Sequence, residues 1–246
     1  MQHIESFEAV GVDGCRAGWI VAGWTGTELS LVLVPKLKDL LPRLAFGARI
    51  LIDIPIGLSE DGYRSCDVAA RKLLGKRSSS LFSAPPRFAL GYDCYSSLNN
   101  RCKIETGRGI SKQSFFLLPK IREVDHLVHS RKSKSLFWYE THPELCFISM
   151  NKGNFLRDSK KTETGYLERI HILRESIEHD IQGMTDSFLR STRRCQVVRD
   201  DVLDALVCLV VAKMSDSLIS FLPDRLNERD QTGLIMRICY PKLIKK

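Results

Sequence analysis

The chain has 246 residues, of which 43% are hydrophobic, and its formal net charge is +8. This length and composition predict one globular domain over residues 1–246 with a substantial core. No apolar run is long enough to cross a bilayer, and the first residues lack a signal-peptide pattern, so we expect a cytoplasmic protein without a membrane partner. Eight scattered cysteines with no C-x-x-C pair argue against zinc ribbons and disulfide frameworks, and predict buried, reduced thiols.

The excess positive charge is confined to the middle of the chain. Residues 60–135 contain fifteen lysines and arginines against seven acids, and the rest of the sequence is neutral. Clustered positive charge is typical of proteins that bind nucleic acids, because lysine and arginine displace the counterions of phosphates. A solvated basic surface is the alternative. We expect a nucleic acid, DNA or RNA, as the partner, and self-association stays open. The candidate phosphate contacts are Arg64, Arg71, Arg77, Lys112 and Lys120.

The first two apolar runs predict a strand, a tight turn and a second strand, with Asp13 where the first strand leaves the sheet. A carboxylate there is costly to bury unless it is paired, and a divalent cation is one candidate partner. The alternative is an aspartate that only organises the turn through backbone amides. Residues 28–34 predict a third strand, which completes an antiparallel meander.

A helix and a fourth strand are predicted next. The apolar spacing over 36–46 is helical, although Pro42 shortens or kinks that helix. The run 49–58 predicts a buried strand that carries Asp53. A strand reached through a helical crossover normally lies parallel to its partner. If it lies beside the first strand, Asp13 and Asp53 emerge together at one edge of the sheet.

Residues 59–135 are basic and rich in turns, and we interpret them as an insertion that packs on the sheet or caps a substrate. Helices are predicted over 65–74, ending at Gly75, and over 119–130.

The last part of the chain alternates strands and helices. Strand character returns over 136–145, and Thr162 is expected to cap a helix that runs to about Ile181. Residues 197–213 form the most hydrophobic predicted helix, which we expect to lie against the sheet. Residues 233–240 predict a late edge strand.

Two acids open that hydrophobic helix. Asp201 and Asp204 are three residues apart and therefore share a helix face. The helix dipole is a sufficient reason for Asp201, but less so for Asp204, which lies deeper in the apolar part. With Asp13 and Asp53, these carboxylates predict a pocket for a hard cation, Mg²⁺ or Mn²⁺. Two such ions would activate water on one side of a phosphodiester and stabilise the leaving oxygen on the other.

Glu140 and His142 are further catalytic candidates, followed by Glu144. Glu140 could add a metal ligand, and His142 could transfer a proton near neutral pH. The alternative is a structural turn whose polar groups satisfy backbone amides. Trp19 and Trp138 are predicted to be core residues rather than base-stacking platforms.

Several motifs spread over nearly the whole chain point to one family. They are Val10–Trp19, Ile52–Leu58, Arg64–Arg71, Leu74–Gly75, Gly109–Gln113, Pro119–Asp125, Glu140–Leu145 and Asp200–Ala205. In these motifs the chain resembles the domain-of-unknown-function family 429, which is regarded as a family of predicted nucleases with a ribonuclease H-like fold. The resemblance implies that fold and a nuclease activity.

At the level of the superfamily, the four aspartates are similar in position and order to the acids of the Holliday-junction resolvases. Those enzymes carry one acid on the first strand, one on the fourth strand and two on the last helix, so this comparison is an analogy. Asp53 stands where the resolvases usually have glutamate, and its side chain is one methylene shorter.

We therefore predict an α/β domain with a ribonuclease H-like mixed sheet, an antiparallel three-strand meander plus parallel strands, flanked by helices and carrying a basic insertion at about 59–135. The expected function is hydrolysis of nucleic-acid phosphodiester bonds by two metal ions, Mg²⁺ or Mn²⁺, held by Asp13, Asp53, Asp201 and Asp204. One alternative is a non-catalytic nucleic-acid-binding module of the same fold. Another is an actin-like phosphotransferase, which would need a second, glycine-rich phosphate loop and a duplicated domain.

Overall fold

The computed structural model describes residues 6–193, 195–225 and 228–243. The strands are β1 (Phe7–Cys15), β2 (Gly18–Trp24), β3 (Leu29–Val34), β4 (Leu44–Ile52), β5 (Phe137–Thr141), β6 (Ile219–Leu222) and β7 (Ile238–Pro241). The α-helices are α1 (Ser65–Leu74), α2 (Tyr95–Thr106), α3 (Lys112–His129), α4 (Pro143–Met150), α5 (Glu163–Arg174), α6 (Ile181–Ser191) and α7 (Arg199–Lys213). Among the described residues, no helix combines the length and apolar character needed to span a membrane.

In the described part of the chain, seven strands form one mixed sheet in the order β3-β2-β1-β4-β5-β7-β6. The first three strands form an antiparallel meander. β4 lies parallel to β1, β5 to β4 and β7 to β5, whereas β6 runs antiparallel to β7. The predicted α/β architecture, with a meander followed by parallel strands and flanking helices, is confirmed.

The two faces of the sheet are covered by different helices. Successive side chains of a strand point to opposite faces, so Ala9 and Cys15 of β1 pack on the side of α1, α4, α5 and α7. Val10 and Val12 pack on the other side, against α3 and the 3-10 helix Leu37–Arg43. The basic segment thus contributes α1 to one face and α3 to the other.

Helix α7 contacts the backbone of β1 at Gly11. A Cβ atom at this position would lie 2.1 Å from both the Ala205 carbonyl oxygen and the Leu209 amide nitrogen. Only glycine, which has no side chain, lets the backbones of β1 and α7 come this close. Because Gly11 and Asp13 are two residues apart on one strand, the face that receives α7 is also the face of Asp13.

Some predicted elements differ from those in the structure. The predicted 36–46 helix is the shorter 3-10 helix Leu37–Arg43, and β4 already begins at Leu44. Pro42 lies inside that turn, where its missing N–H is compatible with a short helix but not with a long one. The predicted strand over 49–58 ends at Ile52.

Two helices have other bounds than predicted. The helix expected over 119–130 begins at Lys112, because the Ser111 side chain caps it by accepting a hydrogen bond from the Ser114 N–H at 3.0 Å. Thr162 caps α5 as predicted, but that helix ends at Arg174 and a separate helix, α6, begins at Ile181.

The last strand and two cysteines also lie elsewhere than expected. β7 is an interior strand between β5 and β6, so the predicted edge strand over 233–240 is wrong.

The helix predicted over 65–74 is confirmed, with Gly75 at its end in a positive-φ conformation (φ 47°). Six cysteines are buried as predicted, whereas Cys94 and Cys195 are exposed. Trp19 is fully buried, and Trp138 is only partly buried against the α3 face.

We predict that Gly11→Ala destabilises the fold, because the new methyl group overlaps the backbone of α7. The loss should be at least about 1–3 kcal/mol, the usual cost of overpacking, and it should appear as a lower thermal midpoint. Gly91→Ala is the control, since a Cβ atom there meets no atom within 4 Å. Equal midpoints for the two variants would contradict the close packing of α7.

We also predict that Cys94 is a reactive thiol. Hydrogen bonds from Ser96 and Ser97 lower the pKa of Cys94 to about 6, so its alkylation rate by iodoacetamide should rise through an inflection near that pH. Mass spectrometry of the labelled peptide measures this rate. Ser96→Ala should move the inflection to higher pH, and an unmoved inflection would exclude the hydrogen bond as the cause.

Candidate metal centre

The carboxyl ends of β1 and β4 bring Asp13 and Asp53 together, as the parallel crossover predicted. The Asp53 N–H donates to the Val12 carbonyl at 3.2 Å, which extends the parallel ladder to this edge. Asp13 follows Gly11 by two residues and Asp53 follows Leu51 by two, so both side chains lie on the α7 face.

Helix α7 adds its two acids to the same edge. Asp204 is buried, with 4% of its surface exposed. One oxygen of Asp201, Oδ2, accepts a hydrogen bond from the Val198 N–H at 3.0 Å and so caps the start of α7. Asp201 therefore stabilises the start of α7, as expected for an acid at a helix N-terminus. Its other carboxylate oxygen, Oδ1, takes no part in this cap and could bind a second partner.

Burial and neighbouring charges shift the pKa values of Asp13 and Asp53. Burial raises the pKa of Asp13 well above its ordinary value, and the charges of Asp204, Asp53 and Asp201 raise it further. Burial also raises the pKa of Asp53. Among the described residues, neither the Asp13 nor the Asp53 carboxylate accepts a hydrogen bond. Carboxylates without donors in a shielded place are the kind of group that a cation stabilises.

Lys160 is the cation that the structure places among these acids. Its Nζ lies 2.5 Å from Asp204 Oδ2. Burial lowers the pKa of Lys160, but the charges of Asp204, Asp13 and Asp53 outweigh it and raise that pKa above its ordinary value. The sequence analysis missed this residue, because Lys160 lies in a polar loop with no spacing that ties it to the acids.

The donor set fits a hard divalent ion, since it consists of carboxylate oxygens on a shielded edge. No three His, Cys, Asp or Glu side chains of the described residues stand close enough to hold one ion. The acids thus share one edge of the sheet without forming a ligand shell, and Lys160 offsets part of their charge.

His142 lies beside the acid cluster and also serves as the N-cap of α4. Its Nδ1 accepts a hydrogen bond from the Leu145 N–H at 3.4 Å, so the proton of the neutral ring belongs on Nε2. The charge of His142 opposes the effect of burial on the pKa of Asp53. Both interpretations of His142, the proton carrier and the structural cap, are therefore compatible with its position.

Glu140 does not belong to the acid cluster. It pairs in register with Ile52, whose side chain packs on the α3 face, so Glu140 points away from Asp13 and Asp53. Its Oε1 accepts a hydrogen bond from Arg64 at 2.5 Å, and its Oε2 accepts hydrogen bonds from Arg64 and from the Ile56 N–H, both at 2.8 Å. The expectation that Glu140 adds a ligand is corrected, because it braces the loop after β4.

The three predicted phosphate contacts at and after the start of α1 form hydrogen bonds with other parts of the protein. Arg64 is only 1% exposed and is held by Glu140 and Asp67, so it cannot contact a phosphate. Arg71 and Arg77 are half-buried and donate hydrogen bonds to neighbouring loops.

The two lysines of α3 differ from each other. Lys112 is exposed at the start of the helix. Lys120 donates a hydrogen bond to the Gly18 carbonyl, and its Nζ lies 4.1 Å from the centroid of the Trp19 ring. Burial lowers the pKa of Lys120, and the nearby Asp13 opposes that effect. Lys120 thus lies under the β1–β2 turn, close to the acid cluster.

A comparison with known proteins identifies the family. The family DUF429, described as a protein of unknown function, matches residues 11–226. The chain belongs to this family, and the resemblance found in the sequence is confirmed. No curated protein and no solved structure matches the chain.

We predict that Glu140, on the α3 face, contributes to stability and that Asp53, on the α7 face, contributes to metal binding. Glu140→Gln leaves the buried Arg64 with less counter-charge and should cost about 3–5 kcal/mol of unfolding free energy, with no change in the Mn²⁺ affinity of the folded protein. Asp53→Asn should weaken Mn²⁺ binding and leave the fold intact, because burial already disfavours the Asp53 charge. Denaturant titration and calorimetric Mn²⁺ titration measure the two quantities. Weaker Mn²⁺ binding by folded Glu140→Gln would return Glu140 to the metal centre.

Proposed function

We propose that this chain is a divalent-metal-dependent nuclease that hydrolyses phosphodiester bonds of a nucleic acid on a ribonuclease H-like fold. The observation that carries the proposal is that Asp13, Asp53 and Asp204 lie at one edge of the sheet, where the charge of Asp204 raises the pKa of both Asp13 and Asp53. Asp201 lies beside them. Burying several carboxylates together is unfavourable unless a cation is part of their function.

The topology supports the fold assignment. An antiparallel meander of β3, β2 and β1, followed by parallel β4 and β5, is the sheet expected for a ribonuclease H-like domain. In this arrangement the first and fourth strands are neighbours, and the last long helix, α7, packs across them. These are the elements on which the resolvase analogy places the acids.

The residues of the centre have separable roles. Asp13, Asp53 and Asp204 would hold Mg²⁺ or Mn²⁺ by closing on the ion, since they form no ligand shell as they stand. The uncapped oxygen of Asp201 would be a further ligand. The bound metal would supply Lewis acidity and a water of lowered pKa. Nδ1 of His142 accepts a hydrogen bond from the N-terminus of α4, so His142 would transfer a proton through its other ring nitrogen, Nε2.

Binding of the nucleic acid is assigned to the basic segment 60–135, which carries the whole net charge of the chain. Carboxylates facing a phosphate repel it unless cations intervene, so the acid edge alone does not attract the substrate. Lys112 is exposed and its side chain forms no hydrogen bond or ion pair with the described part of the chain, so it is the predicted phosphate contact that stays accessible. DNA and RNA remain equal candidates.

A second candidate function is a nucleic-acid-binding module without catalysis. The observation that favours it is the Lys160–Asp204 ion pair, in which a side chain of the protein itself occupies one of the candidate metal ligands. Such a module would bind nucleic acid in a salt-sensitive manner and release no product.

Cleavage of labelled single-stranded, double-stranded and branched DNA, RNA and a hybrid duplex tests the proposal. With Mg²⁺ or Mn²⁺ the wild type should cleave at least one substrate, and a chelator should abolish cleavage. Asp13→Asn should lower the rate by at least about 100-fold, since changes around a metal ligand alone already cost about 10–100-fold.

Asp39→Asn is the matched control, because Asp39 is an exposed aspartate away from the acid edge. It should cleave as the wild type does. Tight, salt-sensitive binding without cleavage would favour the binding module, and metal-dependent cleavage that survives Asp13→Asn would contradict the assigned centre.

A further inference from the structure

Lys160 lies in the loop that connects α4 to α5, and both flanks of the lysine are anchored. Leu156 is buried on one side, where Arg77 donates hydrogen bonds to the carbonyls of Leu156 and Asp158 at 2.8 and 3.0 Å. On the other side Thr162 caps α5. The loop backbone is thus held in place, so withdrawal of Lys160 from the acids would involve its flexible side chain rather than the loop.

The two ends of the Lys160–Asp204 pair have unlike surroundings. The Asp204 side chain is 6% exposed, whereas the Lys160 side chain is 41% exposed. An ammonium group is a strongly hydrated charge on a four-carbon stem. Lys160 can therefore return to water at low cost, while Asp204 cannot leave the edge.

The same ammonium group is close to the rest of the cluster. The charge of Lys160 opposes the rise in the pKa of both Asp13 and Asp53, and its Nζ lies 2.5 Å from Asp204 Oδ2. The ammonium group thus stands against the carboxylate oxygen that a divalent cation on Asp204 would have to take.

We propose that Lys160 is an internal counter-ion that a divalent cation must displace from Asp204. This inference rests on the proposed metal centre. Without metal, the ammonium group offsets part of the negative charge of the acids. With metal, the stronger charge takes Asp204 and the Lys160 side chain turns to solvent. This competition lowers the apparent metal affinity, which equals the intrinsic affinity multiplied by the fraction of molecules in which Asp204 is free of Lys160.

The first test is Mn²⁺ affinity by calorimetric titration of the wild type, Lys160→Met and Lys161→Met. Lys161 is the exposed neighbour, and its substitution removes the same charge without touching Asp204. Lys160→Met should bind Mn²⁺ about tenfold more tightly than the wild type, whereas Lys161→Met should bind as the wild type does.

The possible results separate the inference from the proposed function. Tighter binding by Lys160→Met alone supports displacement. Wild-type binding with equal or weaker binding by Lys160→Met overturns displacement and leaves the metal centre in place. If no variant binds Mn²⁺, the metal centre itself is wrong and the inference falls with it.

A second measurement uses the unaltered protein and does not depend on any variant folding. Reductive methylation of lysines, read by mass spectrometry, should modify Lys160 faster with saturating Mn²⁺ than with chelator, because its amine is released from Asp204. Lys161 should react at the same rate in both conditions. Slower or unchanged methylation of Lys160 with Mn²⁺ would overturn the exchange.

Discussion

The contact between the backbones of α7 and β1 at Gly11 is the constraint on which the candidate site depends. Because no side chain separates the two elements there, α7 lies directly on the strand, and its first turn reaches the carboxyl end of β1. That end carries Asp13, and the N-terminal part of α7 carries Asp201 in its first turn and Asp204 just beyond it. A helix held farther away by a side chain would keep its hydrophobic contacts but would no longer bring its acids to the sheet.

Two groups of buried charge are balanced differently. Glu140 of β5 and Asp67 of α1 are matched by Arg64, and every partner is buried, so the group is a permanent structural ion pair. At the acid edge the acids outnumber the basic side chains near them, and the one in direct contact, Lys160, is half-exposed. Fixed geometry and complete pairing are typical of structural ion pairs, whereas excess negative charge beside a half-exposed cation is typical of a site that exchanges ligands.

Sequence reasoning could place the acids because simple rules govern them. The parallel crossover predicted that Asp13 and Asp53 would be neighbours, and the three-residue spacing predicted a shared helix face for Asp201 and Asp204. It left Glu140 open between a ligand of this cluster and a structural role, because which face a strand residue takes depends on the register with β4. It could not find Lys160, because a loop side chain reaches its partner through tertiary structure alone. The resemblance identified the family, while its nuclease activity stays a prediction.

A crystal structure with bound Mn²⁺, with the ion located by its anomalous scattering, would show whether the acid edge is a metal centre. We expect an ion ligated by Asp13, Asp53 and Asp204, with the Lys160 side chain turned away from Asp204. A structure in which Mn²⁺ binds elsewhere, or in which the Lys160–Asp204 pair persists at saturating Mn²⁺ and the acid edge holds no ion, would contradict it.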